Sequence, residues 1–80
     1  MNTENQNRVP FPKSPLMNTE YVLADRFQIN MPDEMSLTLN PGSTFRVSGF
    51  HPEHLDFQFA PGVYLRKIPR TALQGLSIQE

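Results

Sequence analysis

Eighty residues without a single cysteine allow one small domain, with no disulfide and no thiolate-metal site to support it. Seven basic against eight acidic side chains leave a net charge of −1, which excludes a general electrostatic attraction to nucleic acid or to anionic membrane. No apolar run approaches membrane-spanning length, and the first residues lack the basic head and apolar middle of a secretion signal, so a cytoplasmic location is expected.

Residues 1–16 are polar at first (Asn2 to Asn7) and then proline-spaced at Pro10, Pro12 and Pro15. So little apolar side chain does not offset the entropy of ordering the chain, and the segment is predicted to be a flexible arm. Pro12-Lys13-Ser14-Pro15 has the spacing of a polyproline ligand, but solvated arms commonly carry it. Met17-Asn18-Thr19-Glu20 repeats the opening Met1-Asn2-Thr3-Glu4, a match too short to mark a structural repeat. Residues 17–80 are predicted to form the single folded domain. A domain of about sixty residues buries only ~60% of the surface its unfolded chain exposes. A second surface, from a copy of the chain or from a protein partner, is therefore expected to add stability.

From Glu20 to Asn30, Tyr21, Leu23, Phe27 and Ile29 share one side if the segment is extended. Their residue types favour strand, although Leu23 and Phe27 also fit a helical turn. Met35, Leu37 and Leu39 alternate with Ser36 and Thr38, predicting a strand with one buried face. Asn40-Pro41-Gly42-Ser43 turns the chain into Phe45 and Val47, after which Gly49 permits a bulge before Phe50. Leu55, Phe57 and Phe59 form the cleanest alternation in the chain. Ala60-Pro61-Gly62 returns it through Val63 to Ile68, with Val63 and Leu65 on one face and Tyr64, Arg66 and Ile68 on the other. Pro69 ends that strand for want of an N–H, Arg70 to Leu73 is long enough for one 3₁₀ turn, and Leu76 to Ile78 is a last short strand.

The order of Val63–Ile68, Pro69–Leu73 and Leu76–Ile78 resembles the close of an SH3-like barrel. The resemblance implies an all-β fold: a small five-stranded SH3-like barrel with a 3₁₀ turn before the last strand and a disordered N-terminal arm. Such architecture is shared by unrelated families and does not itself specify a function. The plasmid-borne type of dihydrofolate reductase is similar in having a floppy arm, such a barrel and a pore made by oligomerisation. Its Val-Gln-Ile-Tyr strand is replaced here by Val63-Tyr64-Leu65-Arg66, so none of its substrate-binding residues transfers.

Catalytic chemistry finds little to work with. The serines lack a nucleophile-elbow setting, no glycine-rich phosphate loop exists, and no enzyme activity or small-molecule substrate is expected. His51-Pro52-Glu53-His54 followed by Asp56 is the only metal-like cluster. With Pro52 stiffening it and no further His or Cys to complete a shell, it reads as a polar hairpin loop, and no metal or other cofactor is expected. Asp33-Glu34 reads as a solvated turn.

The leading expectation is a non-enzymatic regulatory module that binds another protein, or itself, through the barrel surface. Aromatic side chains are plentiful for so small a core, and those left outside would anchor an interface. Phe50 and Tyr64, with Arg46 and Arg66 as charged neighbours, are the predicted partner-binding residues. The alternative is a nucleic-acid-binding barrel using Tyr64, Arg66, Lys67 and Arg70, in which bases stack on the ring while basic groups follow the phosphates.

Overall fold

The computed structural model describes residues 8–80. Eight short strands run in chain order: β1 (Arg8–Pro10), β2 (Glu20–Val22), β3 (Phe27–Asn30), β4 (Ser36–Leu39), β5 (Thr44–Phe50), β6 (His54–Ala60), β7 (Val63–Pro69) and β8 (Ser77–Gln79). A 3₁₀ turn, Arg70–Leu73, separates β7 from β8 as the spacing predicts. The described residues contain no α-helix, so none long and apolar enough to cross a membrane.

The all-β expectation holds, but the closed five-stranded barrel does not. The strands make a four-stranded antiparallel sheet in the order β2-β5-β6-β7 and two two-stranded sheets, β1-β8 and β3-β4. A single bridge, Leu23 to Ile78, links β8 towards β2. At the opposite edge the 3₁₀ turn carries the chain away from β7. The last strand, three residues long, pairs with β1 instead of returning to β7. The sheets are therefore open.

Of the expected arm, residues 1–7 lie outside the described residues, whereas residues 8–16 belong to the fold. β1 pairs with β8, matching Val9 to Ile78, and the Phe11 N–H donates to the Leu76 carbonyl at 2.9 Å. Pro15 is buried, and the Phe11 ring meets Tyr21, Phe45 and Phe57 at centroid distances of 5.3–5.8 Å. The segment is poor in apolar side chains, but three of those it has are inserted into the body, and that offsets the cost of ordering it.

The segment from Glu20 to Asn30 is extended on both sides of a bend at Asp25. Asp25 fixes that bend by accepting from the Ser77 hydroxyl at 2.8 Å and pairing with Arg8 at 2.8 Å. Leu23 and Ile29 are fully buried, with Tyr21 and Phe27 packed beside them. β4 departs from expectation: Leu39 is buried, but Met35 and Leu37 are exposed. Leu37 lies across from the buried Ile29, but β4 is an edge of the two-stranded β3–β4 sheet with no further strand to cover it, and Met35 precedes it at the turn.

The core is centred on β5 and β6. Phe45 and Phe57 stack at 4.8 Å, with Val47, Leu55 and Ile68 around them. Full burial of side chains this large contributes roughly 1.5–3 kcal/mol each. The Ala60-Pro61-Gly62 turn joins β6 to β7 with Gly62 at φ +78°, a conformation that costs glycine little and other residues much.

Three register shifts interrupt the ladders. Between Val47 and Gly49 β5 carries an extra residue, as Gly49 predicts. Between Gln58 and Ala60 the extra residue is on β6. The third corrects the facing of β7. Leu55 pairs with Ile68 and Phe57 with Leu65, so three steps along β7 match two along β6. Lys67 absorbs the extra residue at φ +59°, and Ile68 turns into the core beside Leu65 instead of facing outward with Tyr64 and Arg66.

Candidate interaction site

β7 is the edge of the four-stranded sheet, and among the described residues no strand pairs with its outer side. Its first residues carry apolar side chains that the core does not take up: Val63 is 50% and Tyr64 44% exposed. Its second half is guarded, because Arg66 and Lys67 are charged, Lys67 bends the backbone and Pro69 lacks a donor. Only Val63 to Leu65 is left as an uncharged, unprotected edge.

The register builds the outer face beside that edge. Glu20 pairs with Arg46, Arg46 with Gln58 and Gln58 with Tyr64, so these four side chains form one row across the sheet. Arg66 lies two residues further along β7 and stacks over the Tyr64 ring at 4.9 Å. The Arg46 guanidinium donates to the Asn18 carbonyl at 2.8 Å, which holds it at the other end of the row. Tyr64, Arg66 and Arg46 are thus brought onto one face.

Phe50 is not among them. The shift at Ser48 and Gly49 pairs Phe50 with the buried Leu55, on the opposite face of the sheet from Tyr64. There it lies under the Arg70 guanidinium at 4.7 Å. Arg70 is itself occupied: it donates to the His51 carbonyl at 2.9 and 3.3 Å and to the Lys13 carbonyl at 2.9 Å. The second predicted set is likewise divided, with Tyr64 and Arg66 on the outer face, Lys67 at the bulge and Arg70 turned to the other end.

Two further features lay beyond the sequence reading. Val63 stands exposed at the edge, although Leu65 on the same face is half-buried. A groove of about 730 Å³ runs between β1, the following loop and the 3₁₀ turn, with Phe11, Leu55, Leu73 and Leu76 lining it and Lys13 and Arg70 at its margin. It exists because the arm folds back, and no periodicity signals that. His51, His54 and Asp56 also come together, where the β5–β6 connection enters β6. No protein-family model, curated protein or solved structure matches the chain.

Proposed function

We propose that the chain is a small, non-enzymatic regulatory module of SH3-like architecture, opened at one edge, that binds a protein partner by accepting an extended segment along Val63–Leu65. The unpaired outer edge of β7 supports this reading. Backbone N–H and C=O groups on a free edge are a template for a further strand, and exposed Val63 and Tyr64 give that strand apolar contacts. Arg66 and Lys67 beyond them, with Arg46 in the same row as Tyr64, favour a segment carrying acidic side chains. Pairing between two copies would use the same edge.

The test is a titration of isotope-labelled protein with a synthetic ten-residue peptide of alternating valine and glutamate, followed by amide shifts. Shifts concentrated on Val63–Leu65 and the neighbouring residues of β6, weakened by Arg66→Glu with Lys67→Glu, are the expected result. No shift on β7 at millimolar peptide overturns the reading. A single-stranded oligonucleotide is run beside it at low salt. If it moves Tyr64 and Arg66 while the peptide does not, the nucleic-acid alternative replaces this one. A measured mass of two chains at peptide-free concentrations assigns the edge to self-pairing.

A further inference from the structure

The turn between β5 and β6, with the first residues of β6, gathers the chain's only two histidines and an aspartate. Their candidate donor atoms, two imidazole nitrogens and one carboxylate oxygen, all lie within 4.8 Å of one another. The His51 and His54 rings stack at 4.2 Å, and His51 Nε2 is 3.5 Å from Asp56 Oδ2. We propose that His51, His54 and Asp56 form a binding site for a divalent transition-metal ion, zinc by the character of its donors, with the remaining coordination positions open to solvent.

The scaffold holds the donors more firmly than a polar loop would. The His51 N–H donates to the His54 carbonyl at 3.1 Å, closing the turn over Pro52, whose ring restricts the backbone between the two histidines. Asp56 Oδ1 accepts the Lys67 backbone N–H at 2.8 Å, which leaves Oδ2 as the oxygen facing His51. The Lys67 N–H is the kind of outer hydrogen bond that a ligating carboxylate carries. Across the ladder Gly49 makes room for it: a Cβ there would overlap the Asp56 carboxylate. Arg70, the cation bonded to this loop, donates to the His51 carbonyl and leaves the imidazole nitrogens free of it.

Two imidazoles and a carboxylate suit zinc and its first-row neighbours better than magnesium or calcium, which take oxygen donors. Zinc–ligand bonds of about 2.0–2.1 Å set tetrahedral donors roughly 3.3 Å apart, so the two partly exposed rings must turn out of their stack for their in-plane lone pairs to converge on one ion. The rival explanation is a metal-free loop in which His51 and Asp56 simply form an ion pair.

Zinc chloride is titrated calorimetrically into the untagged full chain and into His51→Ala, His54→Ala and Asp56→Asn. The expected result is one zinc per chain for the wild type and a loss of roughly tenfold or more in affinity for each variant. Circular dichroism should be unchanged in all four proteins. A wild type that binds no zinc below millimolar concentration, or variants that bind it equally well, overturns the proposal. Proton spectra of the wild type give an answer that needs no variant. Both histidine ring signals must move together and saturate at one equivalent; movement of one alone favours the ion pair and also overturns it.

Discussion

The Asp56 carboxylate accepts the backbone N–H of Lys67 at 2.8 Å, joining an aspartate on β6 to the one β7 residue whose φ is positive. The bond satisfies a donor that the bulge removes from the ladder, and so decides which way Ile68 faces. Asp56→Ala is expected to lower stability by about 1 kcal/mol, because an exposed N–H loses its charged acceptor and turns to water instead. Asp56→Asn keeps an acceptor oxygen and should cost much less. Lys67→Gly is expected to raise stability by roughly 0.5 kcal/mol, since relief of the left-handed conformation exceeds the added unfolded-state entropy. Urea midpoints of the three variants check the order.

Gly49 and Asp56 occupy opposed positions on β5 and β6. A Cβ on Gly49 would overlap the carboxylate, so Gly49→Ala is expected to destabilise by about 1–3 kcal/mol through overpacking. In an Asp56→Ala background the carboxylate is gone and only a tight contact with the remaining Cβ at 3.1 Å is left, so the second substitution should cost clearly less. A double-mutant cycle by urea denaturation should therefore show strong non-additivity. Additive costs would mean that the glycine serves the backbone of the bulge and not the space beside it.

How far the fold could be read from residues follows from these same contacts. Alternation and proline-glycine turns are local signals, and they locate β5, β6, β7, the 3₁₀ turn and the buried faces of Phe45, Val47, Leu55 and Phe57. They place Tyr64 and Arg66 on one face for the same reason, whereas Arg46 joins them only through the register of β5 with β6 and β6 with β7. Phe50 and Ile68 escape because one extra residue in a ladder reverses every later side chain, and a lysine at φ +59° carries no compositional mark. Closure of the sheet and the fate of residues 8–16 depend on pairings about seventy residues apart in sequence, Arg8 with Gln79 and Val9 with Ile78, which periodicity does not encode. The His51, His54 and Asp56 grouping is local, yet the hydrogen bond that orients Asp56 comes from β7, beyond the motif.

Phe11 tests the folded-back segment. Its ring touches Tyr21, Phe45 and Phe57, and it is partly buried against the core. Phe11→Ala is expected to destabilise by about 2–4 kcal/mol, near the lower part of the range for buried aromatic truncations. In a domain this small that is a large share of the total stability. Thermal unfolding by circular dichroism measures it. A flexible arm would leave the midpoint within experimental scatter.

Arg70 ties that segment to the β5–β6 loop, because one guanidinium spans the carbonyls of Lys13 and His51 while covering the Phe50 ring. Lysine can place a charge there but cannot reproduce the planar fork or the stacking. Arg70→Lys is therefore expected to cost about 1 kcal/mol globally, on the order of one hydrogen bond. It should also speed amide exchange selectively in Phe11 to Leu16 and His51 to His54. Exchange unchanged in both segments would show that each is held by its own contacts, β1 by β8 and the loop by its His51–His54 backbone bond, with the arginine only filling the surface between them.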